Sequence, residues 1–311
     1  MVQFVKQSVE ALGIAPADEK SALLMIEKAG RTAYKSEERI TEGSALKFVS
    51  HLKSVGHLSV LEHSNIVLQL SRGIAGEAFI YGTFKKRAAY HAIWPLEDRS
   101  TFIAGNIRAW LETLDKLNAA ARWASKALYY AIAPKLNEYF PALFQAVEVP
   151  VDFQWVSRKV DLCNEADQIR FLKTHGESDL PAFVFRITTD RGITHEIVRH
   201  RVLSFTQEST RYVNYGNRGV TLILPEEYDY GISATLKDAD AAYGNMLYHG
   251  LRPQIARDVL PNLLKAEIVV SGRWSGWKHF IELRDSSGAH PRIQKIARAI
   301  REYFEELGLT I

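Results

Sequence analysis

The sequence predicts a chain of mixed helices and strands, and three observations carry that reading. Asn65 to Ser71, Ala182 to Thr188 and Lys265 to Ser271 are short apolar or alternating runs of strand length. Asp18 to Tyr34 and Pro291 to Leu307 repeat apolar residues at helical spacing. The 311 residues suffice for one large domain or two small ones, and neither a repeat nor a low-complexity linker divides them.

Composition removes several classes. Hydrophobic content of 47% and charged content of 24% are ordinary for a soluble globular protein. A formal net charge of +3 does not announce nucleic-acid or membrane binding. Cys163 is the single cysteine, which excludes an internal disulfide framework and a cysteine-only metal site and fits a reducing cytoplasm. The start, Met1 to Lys6, lacks the apolar core of a signal peptide. No apolar run approaches the roughly 20 residues that span a bilayer.

In chain order, the first helix runs from Asp18 to Tyr34, with Leu23, Leu24, Ile26 and Ala29 inside. Thr41 is the expected cap of a second, stopped at Gly56. Gly56-His57-Leu58-Ser59-Val60-Leu61-Glu62-His63 follows. Its histidines invite a metal, but the spacing is not His-Glu-x-x-His, and a structural histidine is the commoner occupant of such a loop. After the 65–71 strand come a strand at Thr101 to Ala104 and helices over Ile107 to Leu117 and Ala119 to Tyr139. Pro134 is expected to kink or end the latter. Trp110, Trp123, Tyr129 and Tyr130 on these helices read as core or interface residues.

The Ala182 strand leads into the most informative stretch, Asp190 to Tyr212. Asp190 is a helix N-cap candidate with Ile193, Ile197 and Val198 behind it. The helix is expected to end near Arg201, where cations suit the negative end of the dipole. Arg199, His200, Arg201 and Arg211, with the hydroxyls between them, can hold an anionic, hydrogen-bonding ligand such as a nucleotide. The alternative is a solvated basic helix end and a polar loop. Consecutive helical residues point about 100° apart, so these three cannot share one solvated face. Val198, Val202, Leu203 and Phe205 argue that the run is partly packed.

Beyond it, Val220 to Leu224 is an apolar run ended by Pro225. Helices follow over about Ser233 to Gly250 and Pro253 to Val259. Then come the Lys265 strand, a helix from Arg273 to Leu283, and the last helix with Pro291 in its first turn.

Arg199-His200-Arg201, Ser204, Ser209, Arg211 and Tyr212 together resemble the signature of the flavin-dependent thymidylate synthase family. The His57-to-His63 segment, the Ala256-Arg257 to Leu260-Pro261 run and Arg284 resemble further family segments. The resemblance covers roughly the first 70 residues and the last 130. Between them an insertion at about 83–178 is read as a helical elaboration of a single catalytic domain spanning 1–311.

The resemblance implies an α+β fold, a mixed sheet with flanking helices, and a homotetramer with active sites shared between subunits. It implies FAD-dependent reductive methylation of dUMP to dTMP, with methylenetetrahydrofolate as one-carbon donor and NADPH as reductant. Ser59, Arg199, His200, Arg201, Gln207 and His279 would attend the flavin. Glu196, Gln207, Glu208, Ser209, Arg211 and Arg257 would hold the nucleotide. Arg284, as catalytic residue, would lie against the uracil. No metal is implied. The family often has Gln at Glu196, Asn-Glu at Thr206-Gln207, Asn at His279 and His at Gly288. A cysteine-dependent thymidylate synthase would need Pro-Cys-His, and Cys163 lies in Asp161-Leu162-Cys163-Asn164-Glu165 instead.

Two alternatives stand beside this reading. One is a nucleic-acid-binding module using the arginines and aromatics, against which the modest charge counts. The other is a histidine-based metallohydrolase built on His57 and His63.

Overall fold

A computed structural model describes residues 3–14, 18–85, 91–98, 100–176, 178–216, 219–224 and 232–310. The chain opens with strands β1 (Gln3–Val5) and β2 (Ser8–Ile14) and helices α1 (Glu19–Tyr34) and α2 (Ser44–Ser54). Asp18 caps α1 by accepting from the Ser21 amide. α2 begins later than Thr41 predicts. Its N-cap is Gly43 at φ 80°, while Ser44 Oγ accepts from the Thr41 amide and donates to Glu27, 2.8 Å away. Gly56, at φ 76°, ends the helix as expected, and the His57 amide returns to the Leu52 carbonyl.

A 3-10 turn over Leu58–His63 leads into β3 (Asn65–Leu70). The expected helical insertion also contains strands. α3 (Glu77–Lys85) starts ahead of it and runs into it, and it holds β4 (His91–Pro95), β5 (Thr101–Asn106), α4 (Ile107–Ala119), α5 (Trp123–Tyr139), α6 (Gln154–Ser157), β6 (Val160–Leu162) and α7 (Glu165–Thr174). Pro134 does not end α5, which continues to Tyr139. A proline inside a helix costs roughly 3 kcal/mol. Burial of Leu128, Ala131, Ile132 and Leu136 along the same helix offsets that cost. Trp110 is fully buried and Trp123 is exposed.

After the insertion come β7 (Ala182–Asp190), α8 (Arg191–Ile197), β8 (Ser204–Gln207), β9 (Thr221–Ile223), α9 (Ile232–Tyr248) and α10 (Pro253–Ala256). Then come β10 (Lys265–Arg273), α11 (Trp274–Arg284) and α12 (Pro291–Glu306). The stop expected at Pro225 lies outside the described residues.

The chain is α+β. One sheet has the order β2-β7-β10-β8 and a second the order β4-β5-β3-β6, and all their pairs are antiparallel. Parallel pairing occurs between β1 and β9. Parallel and antiparallel pairs therefore occupy separate sheets rather than one mixed sheet.

Alternation along β7 and β10 sends Phe183, Phe185, Ile187, Ile268 and Val270 into a core with Trp277, Phe280, Ile296, Ile300 and Phe304 of α11 and α12. Val184 and Val269 face the other way, into a core built by α1, α2, β3 and the helices α3 to α5. The insertion thus shares a core with the N-terminal helices. Among the described residues no helix is long and apolar enough to cross a membrane.

Candidate functional site

α8 delivers the basic stretch, but it stops before it. Asp190 caps the helix as expected, accepting from the Ile193 amide at 2.9 Å, and Arg292 also bonds its carboxylate. The helix ends at Ile197 rather than near Arg201. The Arg199 and His200 amides tighten onto the carbonyls of Glu196 and Ile197, and the Leu203 amide returns to His200. Leu203 anchors this turn. It is buried against the end of β10, where a Cβ at Gly272 would lie 2.1 Å from its Cδ2, and against the start of α11, where one at Gly276 would lie 3.0 Å away. Two glycines make room for the leucine, and the chain must turn there to enter β8.

The turn sorts the three basic residues. Arg199 and Arg201 are exposed, and neither guanidinium has a hydrogen bond or ion pair to a described residue. His200 is buried against Phe280, with ring centroids 4.8 Å apart. The three do not share one solvated face, but the turn is the reason. Val198 and Val202 are 38% and 62% exposed, so only Leu203 and, in part, Phe205 pack as expected.

Arg284, at the end of α11, reaches this turn. Its Nε donates to His200 Nε2 at 2.9 Å, its Nη1 to Glu196 Oε2 at 2.8 Å and its Nη2 to the Glu196 carbonyl at 3.1 Å. Burial, then the charges of Arg284 and His279, lower the His200 pKa to about 4. The ring is therefore neutral at pH 7. Since Nε2 accepts, its proton sits on Nδ1. His279 is exposed beside it, 5.9 Å between ring centroids.

β8 carries the next residues. Gln207 Nε2 donates to Thr194 of α8 at 3.0 Å. The Ser209 amide donates to the Ala33 carbonyl of α1. Arg211 is exposed, its guanidinium 5.6 Å from the Tyr212 ring centroid, and Tyr212 packs on Tyr34. Arg257 Nη1 donates to the buried Thr210 at 3.1 Å, so a residue far along the chain joins the signature loop.

Glu208 differs from what the resemblance implies. It is buried, accepting from the Tyr215 hydroxyl at 2.8 Å and the Glu267 amide at 3.2 Å, and paired with Lys265 at 3.2 Å. Lys265 also pairs with Glu267, which pairs with Lys35. Burial pulls the Lys265 ammonium down, but Glu208 and Glu267 outweigh it and hold its pKa above the ordinary value. Burial and the Glu208 charge push the Tyr215 phenol up. The Glu208 carboxylate is taken up by Tyr215, Lys265 and the Glu267 amide, and it braces the loop.

Ser59 is exposed on the Leu58–His63 turn. That turn is joined to β8 and β10. His63 pairs with Ser271 at 2.9 Å and Thr206 at 2.8 Å, and burial lowers its pKa to about 3. Glu62 accepts from Ser204 at 2.7 Å and from Arg108 at 2.8 Å. A cavity of about 130 Å³ opens here, lined by Glu62, Asn106, Ser204 and Arg273. Arg108 and Asn106 belong to the insertion, so the insertion reaches the turn that carries Ser59.

Among the described residues no group of His, Cys, Asp and Glu is placed to hold a metal ion. Burial, then Asp167, pushes the Cys163 thiol up to about 12, which makes it a poor nucleophile. The sequence weighs Glu62 and His63 only as metal ligands or as structural loop residues, and it gives no role to Thr210, Lys265 or Ser271. Glu62-His63 beside an assigned serine was the available signal; the partners from β8 and β10 had none.

Residues 167–307 match a family described as thymidylate synthase complementing protein. A flavin-dependent thymidylate synthase of Corynebacterium efficiens is 31% identical over 142 residues, 39% of this chain and 56% of the relative. That of Corynebacterium glutamicum is 35% identical over 126 residues, 34% of this chain and 50% of the relative. That of Pyrococcus abyssi is 31% identical over 159 residues, 46% of this chain and 65% of the relative. These matches thus span about half to two thirds of the relatives' length. A UMP/dUMP methylase PolB from Streptomyces cacaoi, solved with 5-Br dUMP, gives a TM-score of 0.38 at 22% identity, over 45% of this chain and 75% of that one. Nothing about this chain rests on so low a score. Over residues 167–307, then, the chain carries the match to the thymidylate synthase complementing protein family and is similar to flavin-dependent thymidylate synthases.

Proposed function

We propose that this protein catalyses reductive methylation of dUMP to dTMP with FAD, taking the one-carbon unit from methylenetetrahydrofolate and electrons from NADPH. One observation carries the reading. His200 and Glu196, which the family resemblance assigns separately, both accept from Arg284, a residue more than eighty positions along the chain.

The residues suit the flavin. Arg199 and Arg201 are exposed cations without a described partner, fit for an anionic pyrophosphate. With His200, Ser59, Gln207 and His279 they would hold FAD, which when bound supplies the redox chemistry. Neutral His200 keeps a donor on Nδ1 while its Nε2 orients Arg284. Arg211, Arg257 and Ser209 would grip dUMP, the arginines at its phosphate. Arg284 would face the uracil and stabilise negative charge developing at N3.

The assembly is a cytoplasmic homotetramer in this reading, with each site shared between subunits. Light scattering should then give four times the 35.2 kDa chain mass.

The test is the visible spectrum of the purified protein with FAD and then dUMP, followed by dTMP formation. A bound-flavin spectrum that dUMP perturbs, with turnover requiring FAD and the folate, is expected. Folded, flavin-loaded protein that makes no dTMP would overturn the proposal.

A further inference from the structure

α5 begins without a side-chain cap. Arg122 precedes it and makes no capping hydrogen bond. The first turn of a helix leaves amide donors without helical partners and concentrates positive potential. Here that end opens into a cavity of about 780 Å³ between α3, α4 and the start of α5. The size falls within the range of small-molecule sites. The cavity is lined by residues between Gly76 and Ser125 and shares none with the nucleotide and flavin candidates.

Ser125 supplies an independent observation. It sits in the first turn of α5, is 6% exposed and lines the cavity. Its hydroxyl has no hydrogen bond to any described residue. The residue is more than nine-tenths buried and its hydroxyl opens to the cavity, where a ligand oxygen would accept from it.

Two cations line the same space. Lys116 is exposed and forms no ion pair with a described residue. The Arg122 guanidinium lies over the Phe79 ring, 4.6 Å from its centroid. Stacking fixes its plane and leaves its N–H edge free for two parallel hydrogen bonds. Phe79 and Leu117 add apolar lining beside these cations.

We propose that this cavity binds a phosphomonoester of a small organic molecule. Its phosphate sits at the start of α5 between Lys116, Arg122 and Ser125, and its organic part lies against Phe79 and Leu117. A phosphate has three terminal oxygens and nearly two charges, which match two cations, a hydroxyl and the helix amides. A carboxylate has fewer acceptors and less charge for the same donors.

Calorimetric titration of the full chain with phenyl phosphate tests this, at constant ionic strength and with benzoate as the carboxylate control. The Arg211→Ala/Arg257→Ala variant separates this cavity from the nucleotide candidates. Binding is expected in wild type and, unchanged, in that variant. Ser125→Ala should weaken it about ten- to a hundredfold, the worth of one hydrogen bond to a charged group. Lys116→Ala/Arg122→Gln, at two exposed positions, should weaken it more than about tenfold. The proposal is overturned if phenyl phosphate gives no saturable heat, if both cavity variants bind like wild type, or if benzoate binds as tightly. None of these readouts depends on dTMP formation.

Discussion

Arg284 is clasped by Glu196 through both its carboxylate, at 2.8 Å, and its backbone carbonyl, at 3.1 Å. The guanidinium proposed to meet the uracil thus already has a carboxylate partner. Flavin-dependent relatives often carry Gln at this position, so the carboxylate is a departure with a consequence.

Glu196→Gln should leave Arg284 in place, because the carbonyl and His200 bonds remain. It should also leave Arg284 with its charge uncompensated. The dUMP dissociation constant is then expected to fall by about two- to tenfold, the worth of one modest electrostatic contact. Equilibrium titration of the flavin-loaded protein reads this. Weaker binding would mean that the Glu196 carboxylate itself contacts the nucleotide.

Arg257 and Arg284 should fail differently. Arg257→Ala removes a charge-assisted contact of roughly 1.5–3 kcal/mol, raising the dUMP dissociation constant about tenfold to a hundredfold with kcat little changed. Arg284→Ala should lower kcat more than it raises KM, because its contact strengthens as charge develops. Equal effects on KM alone in both variants would place Arg284 among the binding residues.

Glu208→Ala should act on stability. It would strand the Lys265 ammonium and the Tyr215 hydroxyl in a buried setting. Breaking such a pair by removing one partner costs about 3–5 kcal/mol. Urea denaturation should show that loss, and a smaller one for Glu208→Gln, which keeps an acceptor for Tyr215. A stable Glu208→Ala protein with weak dUMP binding would restore Glu208 to the substrate.

Acid should unfold the protein in a window set by two histidines. His63 and His200 ordinarily titrate near 6.5, and in the fold at about 3 and about 4. Across that interval the unfolded chain binds protons that the folded chain does not, so stability rises with pH. Their contribution is full above about 6.5 and falls as the pH drops toward 4. The urea midpoint should decline over that range. His63→Asn should be less stable at pH 7 and show a shallower decline. An equally steep decline would remove His63 from the acid response.

Local patterns made much of this legible. The stripe of α12, the Asp190 cap and the strands β3, β7 and β10 are encoded within single elements. Boundaries set by distant contacts were not. α8 stops at Ile197 because Leu203 docks on Gly272 and Gly276 of other elements. β2 is polar at several positions and irregular at Ala11/Gly13, which hides its pairing with β7. β8 has four residues and owes its pairing to β10. At the site, the spacing of Arg199, Arg211, Arg257 and Arg284 was legible. The role of Glu208 was not, because Lys265 and Tyr215 define it from elsewhere in the chain.

The insertion is proposed to belong to one cooperative unit with the rest of the chain. Leu128 of α5 is fully buried in the core that also holds Ile26, Val49, Val184 and Val269. Leu128→Ala should therefore cost about 2–5 kcal/mol of global stability through lost burial and a residual cavity. Far-UV circular dichroism and tryptophan fluorescence should report one coincident transition in wild type, shifted as a whole in the variant. Trp110 in the insertion and Trp277 on α11 supply probes in both regions. Two separated transitions, with Leu128→Ala moving one of them, would show that the insertion folds as its own domain.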